Sequence, residues 1–249
     1  MTVGGKVVLI TGASQGIGQA CAISFGRRGA LLSLAARTPL TLPDALCTAC
    51  DLTSEADRET LVRQTIQHFG RIDILVNNAG HGLYGPTAQA TATDMRNLFE
   101  LNVFAAVSMI QLVLPGMLAQ GSGHVVNVSS IAAEIALPWM TMYSASKAAL
   151  SAVSCGLRRE LLNTAVQVTD VLPGYVKTGF HAAATGTPPS GVVKLRARAI
   201  SPEQCAEAIV KGVERGARRV VTPASGRLAI LAEHLLPRVV DSPLSKMNR

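Results

Sequence analysis

The sequence predicts an α/β fold: a single domain over residues 1–249, built on a doubly wound parallel sheet of about seven strands with helices on both faces. Three observations predict it. Short β-branched and aliphatic runs recur without polar alternation, as strands covered on both faces require. Amphipathic stretches separate them. A glycine cluster ends the first run where strand should pass into helix. A chain that is 48% hydrophobic can bury a full core at this length, and no Pro/Gly/Ser-rich linker, repeat or low-complexity tract divides it.

The first strand is "KVVLI", Lys6 to Ile10, followed by "TGASQGIG" and a short helix in "QACAISFGRRG" whose apolar positions include Ala20, Ile23 and Phe25. Gly12, Gly16 and Gly18 fall where a tight turn, a close backbone approach and helix-on-strand packing each exclude a Cβ. The helix that follows presents free N–H groups and its positive end to an anion such as a pyrophosphate. The second strand is "ALLSLAAR", Ala30 to Arg37. In a dinucleotide fold its carboxyl end meets the adenosine ribose, where an acidic side chain selects a free 2′-hydroxyl. Ala36 and Arg37 stand there instead. A guanidinium fork suits a 2′-phosphate, so NADP is expected over NAD.

About a dozen residues, Pro39 and Pro43 among them, separate Arg37 from the third strand, too few and too interrupted for a full helix. "CDLT", Cys50 to Thr53, reads as a strand end. Asp51 either bonds an adenine amino group, or Asp51 or Thr53 caps the helix "SEADRETLVRQTIQHFG". The fourth strand, in "RIDILVNNAG", ends at Asn77, Asn78, Ala79 and Gly80. There the amides can tie neighbouring strands together while Gly80 leaves room for a ligand, although asparagine and glycine also favour plain turns. The fifth, "GHVVNVSS", ends at Ser129 and Ser130, thirteen residues before Tyr143.

"MTMYSASKAALSAVSCGLRRELL" is a proline-free helical stretch, so Tyr143 and Lys147 at i and i+4 share one face. A phenol titrating near 10 is a poor proton donor-acceptor at neutral pH, and an adjacent ammonium is expected to favour the phenolate. Only serine and alanine lie between the two, which lets other groups approach closely. "VQVTDVLPGYVKTGF" supplies a sixth strand ending at Pro173 and Gly174.

Taken in order, "TGASQGIG", "DLT", "NNAG", Asn102 in "ELNVF", Ser130, "YSASK" and "PGYVKT" resemble the short-chain dehydrogenase/reductase family, densely from Lys6 to about Thr178, loosely to Val221 and weakly beyond. The resemblance implies a Rossmann-type sheet in the order 3-2-1-4-5-6-7, its last strand in "RRVVTP". It implies Tyr143 as general acid in reduction and base in oxidation, and Ser130 as hydrogen-bond partner of the substrate oxygen. Lys147 would hold the nicotinamide ribose and lower the tyrosine pKa, and Asn102 would anchor a water in the proton path. It implies cofactor contacts from Gly12, Ser14, Gln15, Gly16, Ile17 and Gly18, from Arg37, Asp51 and Leu52, from Asn77, Ala79 and Gly80, and from Pro173, Gly174, Val176 and Thr178, besides Tyr143 and Lys147. Residues 179–200, rich in Ala, Gly, Thr, Pro and Val, read as a lid over the substrate.

His81, Leu83, Tyr84, Trp139, Met140, Tyr175 and Phe180 are the candidate pocket side chains, mostly apolar. The expected substrate is a hydrophobic ketone or secondary alcohol, such as a polyketide ring system or a steroid, with a 3-oxoacyl thioester as alternative. A dehydratase or epimerase using the same Tyr and Lys is a rival, though such relatives usually carry a larger C-terminal domain. A cofactor-binding regulator with idle chemistry is another.

The remaining features bound partners and location. Lysine and arginine number 23 against 16 acidic residues, a net charge of +7, with the surplus after Lys194 in "KLRAR" and "ERGARR". These charges are scattered and no nucleic-acid-binding signature accompanies them, so a solvated basic face that attracts an anionic cofactor is expected, and no nucleic-acid partner. "MTVGGKVVLITG" lacks a signal-peptide core, and "VFAAVSMIQLVLPGMLA" is too short and interrupted for a membrane span, so a cytoplasmic protein is expected. That apolar helix is instead a buried element or a subunit contact, and the resemblance implies a homodimer or homotetramer. Cys47 and Cys50 form a lone CxxC whose members a strand would send to opposite faces, so no metal site is expected.

Overall fold

The computed structural model describes residues 2–188 and 199–245. The middle of the expected lid, 189–198, and the "KLRAR" stretch therefore lie outside the described residues. Seven strands form one parallel sheet in the order β3-β2-β1-β4-β5-β6-β7. They are β1 Val7–Thr11, β2 Leu31–Ala36, β3 Ala45–Ala49, β4 Ile74–Asn77, β5 Gly123–Val128, β6 Val166–Pro173 and β7 Arg219–Thr222. The order reverses at β1, which pairs with β2 on one side and β4 on the other. The crevice for a ligand opens outside the carboxyl ends of the strands at that reversal.

Alternation along the strands divides the core between two faces. Val8 and Ile10 of β1 pack with helix α1 (Gly16–Gly26) and with α7 (Pro202–Glu214), through Cys21, Phe25, Ala206 and Ile209. Leu9, between them in sequence, faces α2 (Glu55–Phe69) and α4 (Ala105–Ala119), where Leu61, Met109 and Met117 lie buried. Each fully buried aliphatic side chain of this kind contributes roughly 1.5–3 kcal/mol. Cys47 joins the first face and Cys50 the second, so the CxxC holds no common ligand. Among the described residues no cluster of metal-binding side chains occurs. No helix connects β2 to β3, as the prolines require.

Two expectations change. The cap of α2 is Ser54, whose hydroxyl accepts from the Asp57 N–H; Asp51 instead accepts from the backbone and hydroxyl of Thr53, which closes the preceding turn. The apolar stretch after Val103 is also part of a longer helical run, α3 (Ala92–Phe99), a π turn (Glu100–Phe104) and α4. The 28-residue whole is long and apolar enough by length and composition to cross a membrane. Its buried side, with Met109, Val113 and Met117, packs on the sheet.

Polar ties position the helix that carries Tyr143, α5 (Thr141–Glu160). The Asn77 amide donates to Asn127 Oδ1 at 3.0 Å and to the Ala106 carbonyl at 3.1 Å, and the Asn127 amide donates to Ser154 Oγ at 2.8 Å. β4, β5, α4 and α5 are thereby locked to one another. Asn78 points the other way and donates to the carbonyls of Thr11 and Gly12 at 2.9 and 3.1 Å. A Cβ at Gly18 would collide with the Gly12 carbonyl oxygen and the Asn78 amide, so this glycine is set by the packing of α1 on the β1 turn. Gly18→Ala is accordingly expected to destabilise the fold by about 1–3 kcal/mol, read as a lower midpoint in urea unfolding.

Candidate functional site

A cleft of about 680 Å³ lies outside the carboxyl ends of the strands, within the range of ligand sites. One end is a backbone cradle. Gly12 and Gly16 have φ of +65° and +59°, and a Cβ on Gly12 would stand 2.9 Å from the Ala79 Cα. Gln15 enters α1 in extended conformation without a side-chain cap, and no acidic residue occupies the helix's first turn. The leading N–H groups of α1 therefore face the cleft without a side-chain acceptor, an arrangement that suits a pyrophosphate. Ser14, Gln15 and Ile17 line the cleft beside the two glycines; Gly18 lies beneath it as packing.

Arg37 lines the same end, together with Asp51, Leu52 and Thr53. The Thr53 hydrogen bonds, then the Arg37 charge, hold the Asp51 carboxyl below the usual range. Ala79 and Gly80 line the middle; a Cβ on Gly80 would press on Asn102 Oδ1 and Lys147 Nζ, both at 3.2 Å. Pro173, Gly174, Val176 and Thr178 line the opposite wall. Asn77 does not line the cleft: it is buried in the sheet, its amide committed to Asn127 and Ala106. Strand alternation gives the cleft position to Asn78 instead.

Ser130, Tyr143 and Lys147 meet at the centre of the cleft. Ser130 caps the short helical turn that follows β5, its hydroxyl accepting from the Ala132 N–H at 3.1 Å. Tyr143 and Lys147 share the inner face of α5, with the ammonium 5.9 Å from the phenol ring centre. Burial pushes the Tyr143 phenol up to about 12, while its hydrogen bond with Ser130 pulls the other way. In the protein alone, desolvation is the largest influence on this phenol and keeps it protonated. Lys147 itself is held down to about 8 by burial, against the opposing charge of Asp170. Its Nζ donates to the Val128 carbonyl at 2.9 Å.

Asn102 sits in the π turn, a departure from α-helix common at functional sites. Its Oδ1 accepts from the His81 N–H at 2.8 Å, and its amide donates to the His81 carbonyl and to Ser146 Oγ, each at 3.0 Å. It bridges the "NNAG" loop to α5.

Of the candidate pocket side chains, His81, Leu83, Met140, Tyr175 and Phe180 line the cleft. Tyr84 is buried against a smaller cavity, and Trp139, at φ +66°, is outside the cleft with its carbonyl accepting from the Gly85 N–H. The sequence reading missed His181, which follows Phe180 on the single turn α6 (Phe180–Ala183), stacks on Tyr175 at 4.3 Å and hydrogen-bonds Tyr84. It also missed Leu137, Asp94 and Glu100 on the cleft wall. A single-turn helix has no periodicity to read, and these residues come from elements apart in sequence.

A family model described as short chain dehydrogenase matches residues 6–188. A protein of Anopheles gambiae named dehydrogenase/reductase SDR family protein 7-like is 35% identical, over 94% of this chain and 80% of that one. The ketoacyl reductase HetN of a Nostoc species is 31% identical over 96% of this chain and 88% of its own. Among solved structures, a short chain dehydrogenase/reductase from Burkholderia phymatum in complex with NAD is similar at a TM-score of 0.86 and 25% identity, covering 96% of each chain. A short chain dehydrogenase from Burkholderia cenocepacia in complex with NADP is similar at 0.81 and 27%, covering 98% of this chain and 99% of that one.

Replacing Asn102 by alanine removes three hydrogen bonds and leaves the part-buried N–H and carbonyl of His81 without their Asn102 partner. Its expected effect is a loss of about 1–3 kcal/mol in urea unfolding.

Proposed function

The chain belongs to the short-chain dehydrogenase/reductase family, a family of oxidoreductases, and we propose that it is an NADP(H)-dependent ketoreductase acting on a hydrophobic carbonyl compound. The observation that carries this reading is the meeting of Ser130, Tyr143 and Lys147 beside an anion-fitted glycine cradle in one cleft. The cradle of Gly12, Ser14, Gln15, Gly16 and Ile17 would hold the pyrophosphate, Lys147 the nicotinamide ribose, and Val176 and Thr178 the carboxamide. When bound, the nicotinamide supplies or accepts the hydride.

The chain's own groups handle the proton. A phenol pushed up to about 12 keeps its proton at neutral pH, so Tyr143 stands ready to donate to a carbonyl oxygen as charge develops there. Ser130, hydrogen-bonded with the phenol, is placed to share that oxygen. The resting phenol is thus in the form that reduction uses. Asn102, fixed on His81 and Ser146, holds the loop and α5 at a constant distance behind Lys147. Leu83, Leu137, Met140 and Phe180 make an apolar wall, Phe180 packing on Tyr143 at 5.5 Å between ring centres. That wall supports a hydrophobic substrate such as a polyketide ring system or a steroid. A 3-oxoacyl thioester is the second reading, favoured by the relative named a ketoacyl reductase. Exposed Phe104 and Leu118 beside α4 support a homodimer or homotetramer built on that helix.

The preference for NADP(H) rests on Arg37, the residue after β2, where the chain carries a guanidinium in place of the acidic side chain that selects a free 2′-hydroxyl. Arg37→Asp is expected to reverse the cofactor preference, measured as the ratio of kcat/KM with NADPH and with NADH. In a panel of cyclic ketones, steroids and 3-oxoacyl thioesters, the wild-type chain is expected to oxidise NADPH fastest with a cyclic ketone or a steroid. Tyr143→Phe should cut that turnover by at least about 100-fold. A correctly folded Tyr143→Phe variant with full turnover would refute the proposed chemistry.

A further inference from the structure

β6 carries a carboxylate in the middle of the sheet that the proposed chemistry does not use. Asp170 is 1% exposed and stands in register between Asn127 of β5 and Arg219 of β7. The described residues contain one other buried carboxylate, Asp73, which accepts from Val7 N–H and pairs with Lys6 and Arg71 before the first turn of the sheet.

Hydrogen bonds run from Asp170 towards α5. The single Ser151 hydroxyl hydrogen is shared between Asp170 Oδ1 at 3.1 Å and Ser129 Oγ at 2.9 Å, and Ser129 Oγ donates to the backbone carbonyl of Lys147 at 2.8 Å. Ser151 lies one helical turn beyond Lys147, on the same face of α5. The Lys147 ammonium is held by the carbonyl of Val128, and Val128 is the next residue along β5 from the partner of Asp170. With about 4.8 Å between strands and about 3.3 Å per residue, the backbone of Asp170 lies about 6 Å from that of Val128. Lys147 is 4% exposed and makes no direct ion pair among the described residues. A buried cation requires a compensating charge, and a buried carboxylate on the neighbouring strand, tied to the next turn of α5 through Ser151, is placed to supply it.

We propose that Asp170 is the counter-charge of Lys147, a positioning residue that keeps the lysine protonated at the pH where Tyr143 works. This rests on the catalytic reading above. The groups facing the pair come from every surrounding element. Lys147 faces Tyr143 on its own helix, the Val128 carbonyl on β5 and Asp170 on β6. Asp170 faces Ser151 and Arg158 on α5, Arg219 of β7 at 3.6 Å, and Glu134 in the turn after β5. Glu134 in turn holds Arg219 at 2.7 Å and His234 of α8 (Gly226–Leu235) at 3.6 Å. Burial raises the Asp170 carboxyl, and Arg219 and Arg158 favour its charged form.

The sign of the coupling is fixed. Removing the negative charge makes Lys147 lose its proton at lower pH. The experiment is a carbon-13 NMR titration of the full chain labelled at lysine Cε, with the Lys147 signal assigned by its absence in Lys147→Arg. In Asp170→Asn the midpoint is expected to fall by about one pH unit. The alkaline limb of kcat with NADPH and the fastest ketone of the panel should move by the same amount, so that Asp170→Asn keeps about a tenth of wild-type turnover one unit above the wild-type limb and near wild-type turnover at pH 6. A Lys147 midpoint unmoved in Asp170→Asn, or turnover lowered equally at every pH, would overturn the proposal. Should Asp170→Asn not fold, Asp170→Ser decides by the same titration: a midpoint that falls supports the pairing and one that stays overturns it. The titration reads Lys147 without any turnover, so its failure is separate from a Tyr143→Phe result that defeats the proposed chemistry.

Discussion

The site depends on how closely α5 is clamped to β5. Four polar contacts set that distance and register: Lys147 Nζ on the Val128 carbonyl, Ser129 on the Lys147 carbonyl, Ser151 on Ser129, and Asn127 on Ser154. The helix residues involved, 147, 151 and 154, repeat at spacings of four and three, one stripe of a helix. Serine at two of them keeps the side chains short enough for strand backbone and helix to meet. Once that stripe is fixed, Tyr143 one turn earlier has nowhere to go but over Ser130, at the strand's end.

Burial is the second consequence of the clamp. The same closeness that brings phenol and ammonium together removes water from both, so the phenol rises to about 12 and the lysine falls to about 8. Desolvation disfavours whichever form carries charge, the phenolate of one and the ammonium of the other, and is the largest influence on both. The result is a phenol that holds its proton and a lysine that is sensitive to any charge placed near it. That sensitivity is what gives a carboxylate in the next strand its leverage.

At the other end of the cleft the constraint is steric. Gly12 and Gly16 adopt left-handed backbone conformations against Ala79 and Thr178, while Asn78 ties the loop after β4 to the turn after β1. The short, helix-free crossover between β2 and β3 leaves Arg37, Asp51 and Thr53 to shape the adjoining wall. Tertiary packing and local glycine chemistry agree here.

Hydrophobic runs and the intervals between them determined the sheet, its two covered faces and the places where strands end, because burial on both faces leaves a continuous apolar signal and the parallel connections, β2 to β3 apart, span a helix's length of chain. The i, i+4 spacing of Tyr143 and Lys147 determined their common face, since helix geometry is local. Tertiary structure decided the rest. Whether Asn77 or Asn78 faced the cleft depended on a strand phase that a four-residue strand does not reveal, and Ser54 rather than Asp51 or Thr53 became the cap because the turn before α2 consumed Asp51. His181, Leu137 and Glu100 reached the cleft from separate elements, and the burial that raised the phenol came only with packing. Sequence spacing records which groups can meet; how much water remains around them is set only when the chain has closed over them.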